Sequence, residues 1–250
     1  MATEGARPAG NPLGRLARRA TTQRWLQAPV DFADAVRRVE ELHTKQTVAE
    51  IVDTALDLGS RGLYKVKASQ YRGEILTLAE RVAALKPKVI VEIGVYKGGT
   101  ALIWSQLASE LVVLCDLRTF PFRKALFKRF PRPGGAKLEI LSGNSHDPAF
   151  KERLVRLLNG RPIDFLLIDG DHTVAGVQQD FDDYAPLVRP GGLIACHDIV
   201  PQQRYPWSQV HVFWQQLKDQ GGYQLEELVE DWDQVGCGIG VLRVPDTPAR

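Results

Sequence analysis

The 250-residue chain lacks several features that would settle its class at once. No apolar run exceeds strand length, whereas a membrane-spanning helix needs about 20 apolar residues, so no membrane span is expected. Charge of one sign is nearly absent: 32 Lys and Arg stand against 30 Asp and Glu, a net of +2. That balance offers no global case for nucleic acid or an acidic partner. No apolar signal-peptide core follows Met1. The three cysteines, Cys115, Cys196 and Cys237, lie in apolar or glycine-rich contexts without CxxC spacing. They read as reduced, buried thiols in a cytoplasm. The G-x-G-x-x-G spacing of a pyrophosphate site is missing too.

What is present points to one α/β domain. Hydrophobic residues make up 44% and charged residues 25%, an ordinary soluble composition. The length suffices for one substantial core with an appended helical segment. The organising stretch is Val89 to Thr100, VIVEIGVYKGGT. Val89 to Ile93 is apolar enough for a buried parallel strand. Gly94 and the pair Gly98-Gly99 follow, then helical spacing over Thr100 to Leu107. Strand, glycine turn and helix N-terminus form a nucleotide-binding βα unit, in which glycine lets a ligand lie against backbone. Glu92 would repel a pyrophosphate and suits a ligand carrying positive charge. S-adenosylmethionine has an ammonium, a sulfonium and no phosphate. The alternative is an ordinary βα turn with a solvated Glu.

Around that unit, strands and helices alternate. Residues 1–28 are rich in Arg and read as a terminus ending in a short helix, or as a basic arm or transit peptide. Asp31 to Leu58 reads as helices, and Tyr64 to Gln70 approaches the site. Glu74 to Leu85 is an amphipathic helix. Further strands are expected at Leu111 to Leu114, Leu138 to Leu141, Ile163 to Ile168 and Leu193 to Cys196. Leu187 to Gly192 reads as a turn. Tyr223 to Val229 and Gly238 to Val244 read as a closing strand pair. Helices fall at Phe150 to Leu158, Val174 to Tyr184 and Val210 to Leu217. This alternation predicts a parallel sheet with helices on both faces. Phe120 to Phe130 is basic and aromatic, suited either to an anionic acceptor or to a solvated amphipathic helix. Asp116 lies 24 residues beyond Glu92, close to the spacing of a ribose-binding carboxylate, although a loop Asp capping a helix would look the same.

Three blocks carry a resemblance: Glu92-x-Gly94-x-x-x-Gly98-Gly99, IDGDHT at Ile168 to Thr173, and LVRPGGLIACHDI at Leu187 to Ile199. In this order they resemble class I S-adenosylmethionine-dependent methyltransferases. The nearest branch includes cephalosporin hydroxylase-like and macrolide-sugar O-methyltransferase proteins. The resemblance implies a Rossmann-like seven-stranded, mostly parallel sheet of order 3-2-1-4-5-7-6, with strand seven antiparallel. It implies a catalytic domain over 71–250 and an N-terminal basic arm and helical cap over 1–70. It puts the methionine part of the cofactor near Glu92 and Gly94, the ribose near Asp116 and the adenine near Asn144 and Ser145. Tyr96, Gly98, Thr100 and Asp169 complete the expected cofactor set.

The chemistry implied is methylation of a hydroxyl on a small-molecule acceptor. Metal-dependent relatives place a carboxylate after strand four and two oxygen ligands after strand five. Asp169 and Asp198 match, and His197 departs. Asp169, His197 and Asp198 are therefore the candidate ligands for a divalent cation, Mg²⁺ or Mn²⁺. Imidazole weakens the magnesium assignment and favours Mn²⁺, Fe²⁺ or Zn²⁺. The alternative is that Asp169 orders a loop and His197 hydrogen-bonds backbone. His172 stands where relatives carry a base, and a neutral imidazole can take a proton near physiological pH. It can equally cap the helix beginning near Thr173, as can Asp171. Three other classes stay open: an NAD-dependent oxidoreductase, a non-catalytic binding protein, and a hydroxylase with His197 and two carboxylates around iron. The last lacks a second His ligand unless His172 supplies it. Pro201 to Trp207 is a candidate lid. Homo-oligomerisation is left open.

Overall fold

The computed structural model describes residues 27–42, 46–201 and 207–246. Residues 1–26 of the terminal segment expected over 1–28, and most of the candidate lid (202–206), lie outside them. A helix over 27–40 (α1) precedes α2 (Val48–Leu56), a short 3₁₀ turn at Gly62–Tyr64 and α3 (Arg72–Ala84). Then β1 (Val89–Ile93), α4 (Gly99–Leu107), β2 (Leu111–Asp116), α5 (Pro121–Phe127), β3 (Lys137–Ser142), α6 (Pro148–Leu158), β4 (Ile163–Ile168) and α7 (Val174–Tyr184) alternate. The chain closes with β5 (Val188–His197), α8 (Val210–Gln220), β6 (Gln224–Leu228) and β7 (Ile239–Arg243).

The seven strands stand in the order β3-β2-β1-β4-β5-β7-β6, as expected. The first five run parallel, and β7 is antiparallel to both β5 and β6. Strands β1 and β4 are buried along their whole length, which is why they read as continuous apolar runs. Alternation along β1 divides the core. Ile90 joins the face covered by α1 to α4, with Val39, Val52, Leu78 and Trp104. Val89, Val91 and Ile93 join the face covered by α6 to α8, with Leu154, Phe181 and Phe213.

Helix starts follow local chemistry. Thr47 and Glu50 form a reciprocal capping box at α2. Asp147 caps α6 ahead of Pro148, and the Thr173 hydroxyl caps α7 by accepting from Gly176 N–H.

The segment read as a turn at Leu187 to Gly192 largely belongs to β5, which begins at Val188. Two observations explain the difference. Arg189 is tied to the buried Asp164 at 2.6 Å, and Gly191 N–H donates to the Val244 carbonyl at 2.9 Å. Glycine at φ +70 provides the irregularity, and the β4–β5 register shifts between Ile163 and Phe165. Asp164 also accepts from the N–H groups of Lys88 and Val89, so one carboxylate fixes the bottoms of three strands.

Candidate functional site at the carboxyl edge of the sheet

The parallel strands β1 to β5 all end on one edge, where ligands bind in open α/β sheets. There the chain forms a cleft of about 1200 Å³. Gly94, Tyr96, Asp116, Asn144, Ser145, Asp169, His172, His197 and Asp198 all line it. Nine expected site residues, far apart in sequence, therefore share one wall.

The turn after β1 is shaped for close approach. Gly94 has φ +91, and a Cβ there would collide with the Asp169 backbone carbonyl. Its N–H donates to the Cys115 carbonyl at 2.8 Å, while Asp169 N–H donates to the Ile93 carbonyl at 2.8 Å. The ends of β1, β2 and β4 are thereby locked together. At the start of α4, a Cβ on Gly99 would collide with the Ala68 backbone, so the segment leading to the cleft residues Ser69 and Gln70 lies directly on the helix. The expectation that Tyr64 to Gln70 approaches the site is met.

Asp116 serves the turn before it serves any ligand. Its Oδ2 accepts from Val95 and Tyr96 N–H, and its Oδ1 accepts from Arg118 N–H at 3.0 Å. The Asn144-Ser145-His146 loop is pinned from α7: Tyr184 Oη donates to the Ser145 carbonyl at 2.5 Å, and Gln179 donates to the His146 carbonyl at 3.3 Å.

Glu92 needs correction. The expectation was a carboxylate presenting charge to a ligand, but the side chain is fully buried on the helix-facing side of β1. It accepts a hydrogen bond from the Thr100 hydroxyl, and its Oε2 has no partner. Burial pushes its pKa well above the ordinary range, only partly opposed by Thr100. Burial without a charged partner disfavours the ionised carboxylate. Glu92, Gly98 and Thr100 do not line the cleft; they support the turn from beneath.

The ends of β4 and β5 bring the remaining candidates together. Asp169 Oδ1 stands 3.1 Å from His197 Nδ1 and 3.4 Å from His172 Nε2. Asp198 Oδ2 stands 3.2 Å from His172 Nε2, and Asp198 Oδ1 3.3 Å from His197 Nδ1. Gln70 donates to Asp169 Oδ2 at 3.4 Å. Asp198 adopts φ +68, a left-handed conformation that Asp tolerates better than most residues.

Electrostatics follow from that geometry. Burial alone would raise the Asp169 carboxyl, but the imidazoles of His197 and His172 outweigh it and hold it below the usual range. Burial alone would lower His172, but Asp169 and Asp198 push it up to about 10. That shift works against the neutral imidazole that the base reading requires. Burial also opposes the charge on His197, and the Asp169 carboxylate prevails and raises it well above the usual value.

Several cleft residues were not anticipated. Cys237, expected to be a buried thiol, is part-exposed on the cleft wall, whereas Cys115 and Cys196 are buried. It sits in the left-handed region at φ +61 between Gly236 and Gly238. Glu74 of α3, read in the sequence only as the start of a helix, holds that loop by accepting from Gln234 at 2.6 Å and from Gly238 N–H at 3.0 Å. The flanking glycines were the readable sign of an unusual backbone there. Trp207, the described end of the candidate lid, meets the His172 ring edge-on with centroids 5.8 Å apart.

The chain is similar to several known proteins. Residues 91–199 match a family described as a methyltransferase domain. A 122-residue stretch is 33% identical to uncharacterized protein R132 of Acanthamoeba polyphaga mimivirus, covering 47% of this chain and 53% of that one. The chain thus spans about half the length of that curated relative. Among solved structures, an O-methyltransferase from Bacillus cereus in complex with SAH superposes with a TM-score of 0.52 at 18% identity, over 81% of this chain and 93% of that one. The MycE methyltransferase of the mycinamycin biosynthetic pathway, in complex with Mg, SAH and mycinamycin VI, superposes with a TM-score of 0.54 at 17% identity. That match covers 82% of this chain and 57% of MycE. The stretch 91–199 is thus similar to a methyltransferase domain, and the chain shares its fold with these solved structures.

Proposed function

We propose that the protein is an S-adenosylmethionine-dependent O-methyltransferase acting on a hydroxyl of a small-molecule acceptor. One observation carries the reading: a single cleft joins a glycine turn that a Cβ would close to a cluster of two carboxylates and two imidazoles. A nucleoside cofactor fits the first half and an oxygen nucleophile the second. The Bacillus cereus and MycE structures, both containing SAH, support the same reading.

The bound cofactor supplies an electrophilic methyl group. The chain's own residues do the rest. Gly94 and Tyr96 form the floor, Asp116 faces the ribose, and Asn144 and Ser145 border the adenine. Asp169, His172 and Asp198 hold the acceptor oxygen and its proton. Positioning the two reactants can account for a large share of the rate of such a displacement. Tyr96, Leu117, Trp207 and Val235 are exposed apolar side chains on the same cleft, so an acceptor with an apolar face next to its hydroxyl suits it best.

A divalent cation also fits this donor set, since Asp198 Oδ1 is buried without a hydrogen-bond partner. Asp169, His197 and Asp198 would hold it, and a cation there lowers a hydroxyl's pKa and orients it.

The test is turnover of S-adenosylmethionine to its demethylated product against a panel of phenols, sugars and hydroxylated natural products, with the acceptor's methyl gain read by mass spectrometry. Product formation that depends on acceptor and falls with Asp169→Ala supports the reading. Tight cofactor binding with no transfer to any hydroxyl class would favour a binding protein that keeps the fold.

A further inference from the structure

The basic, aromatic segment around α5 has no task in the proposed function. Leu117 to Arg132 carries Arg118, Arg123, Lys124, Lys128, Arg129 and Arg132 and no Asp or Glu. The far end of the run is occupied elsewhere. Arg129 pairs with Glu40 at 3.3 Å, and Arg132 donates to the Lys128 and Phe130 carbonyls. The near end lies beside the cleft. Phe127 packs under the glycine turn, where a Cβ on Gly98 would meet its ring. Arg123 stands four residues earlier, on that same face of the helix.

Arg123 is half-buried, and among the described residues no ion pair holds it, Lys97 or Arg118. Buried cations are ordinarily paired, so Arg123 lacks the partner that its burial calls for. Burial lowers its pKa, and the groups that oppose the shift are Tyr96 and Asp116, both on the cleft wall. Asp116 is already committed to backbone, accepting from Val95, Tyr96 and Arg118 N–H. Two more cations frame the same corner. Lys97 lines the cleft with its Nζ 4.5 Å from the centroid of the exposed Tyr96 ring, and the Arg118 guanidinium lies 4.7 Å from that of Phe120. A guanidinium stacked on a ring keeps its in-plane N–H donors for an anion. Phe120 stacks on Phe122 at 5.4 Å, and Phe122 meets Tyr64 edge-on at 5.3 Å, so a packed aromatic layer supports the corner.

We propose that the acceptor carries a phosphate ester, held at this corner by Arg123 with Lys97 and Arg118, apart from the hydroxyl that is methylated. This rests on the reading of the cleft as a methyltransferase site and adds the class of acceptor. Three cations beside one committed carboxylate suit a dianion better than a monoanion, and the guanidinium fork matches phosphate oxygens bidentately. Lys97 lines the same cleft as Asp169 and His172. Its volume of about 1200 Å³ exceeds the roughly 300–1,000 Å³ usual for one ligand, so cofactor and phosphorylated acceptor fit together. Exposed Tyr96 and Leu117 beside the cations suit an apolar or ring stem between the phosphate and the hydroxyl.

The full chain is saturated with SAH and titrated with phenyl phosphate, benzoate and phenol, in low salt and at about 0.5 M NaCl, with binding followed by ligand-detected NMR. Phenyl phosphate is expected to bind at least about tenfold more tightly than phenol, and to weaken at high salt. Arg123→Ala should weaken phenyl phosphate by at least about tenfold and leave SAH affinity unchanged, with partial recovery in Arg123→Lys. Circular dichroism checks the fold of each variant, and Lys97→Ala, at a part-exposed position, repeats the test should Arg123→Ala unfold. Equal binding of phenyl phosphate and phenol, or unchanged phenyl phosphate affinity in the folded variants, overturns the proposal. Benzoate bound as tightly as phenyl phosphate overturns the phosphate assignment. An equal loss of SAH affinity in Arg123→Ala puts the cation on the cofactor and overturns the proposal as well. Absence of SAH binding by the natural chain counts against the methyltransferase reading alone, and phenyl phosphate is then titrated against the unloaded chain with the same expectations.

Discussion

Asp116 Oδ2 accepts a hydrogen bond from the backbone N–H of Tyr96 at 3.0 Å, and a second from Val95 at 3.1 Å. The carboxylate at the end of β2 thus fixes the glycine turn after β1, and Tyr96 is held at φ +46, a conformation uncommon for an aromatic residue. Asp116→Ala removes both acceptors and the candidate ribose contact. Hydrogen bonds to a charged group contribute about 1.5–3 kcal/mol each, so SAH affinity is expected to fall by roughly tenfold to a hundredfold. Calorimetric titration measures it. Unchanged affinity would remove Asp116 from the cofactor site.

Gly94→Ala tests the cradle itself. The added methyl meets the Asp169 carbonyl, and φ +91 strains any L side chain. A loss of about 2–4 kcal/mol is expected, together with loss of SAH binding. A urea midpoint equal to that of the natural chain would show that the turn has room.

Glu92 yields a pH dependence. Burial raises its folded pKa well above 4.5, against the Thr100 hydroxyl. Folding therefore binds its proton more tightly, a contribution present below about 4.5 and lost as pH rises through the folded value. Gln does not titrate and keeps an oxygen for Thr100. Glu92→Gln should gain stability on the natural chain as pH rises above about 4.5, read from urea midpoints. A difference that does not change with pH would mean that burial does not raise the Glu92 carboxyl.

The thiols provide a test of cleft geometry. Burial pushes Cys115 far up and Cys196 up to about 12, so neither forms a thiolate at neutral pH. Cys237 is part-exposed on the cleft wall. Brief iodoacetamide treatment of native protein is expected to label Cys237 alone, as read by peptide mass spectrometry. Labelling of Cys115 or Cys196 first would contradict the burial described for them.

Much of this architecture was legible because it is local. β1 and β4 announce themselves as apolar runs, the helix after β4 was placed from its start near Thr173, and Asp169, His197 and Asp198 sit immediately after apolar strands. What was hidden depends on direction or on distant partners. Composition cannot say that Glu92 faces the helices rather than the cleft; only the register of β1 against its two neighbours does. Nor does spacing reveal that two carboxylates from different strands clamp His172, or that Glu74 reaches across to hold the loop carrying Cys237. Gly191 within R-P-G-G reads as a turn because its bond to Val244 comes from a strand more than fifty residues later.

The most direct test of the central claim is a side-by-side calorimetric titration of the purified chain with SAH and with NAD⁺. The account requires saturable one-to-one binding of SAH, weakened in Asp116→Ala, and no heat from the phosphate-bearing dinucleotide. Saturable binding of NAD⁺ with none of SAH would contradict it.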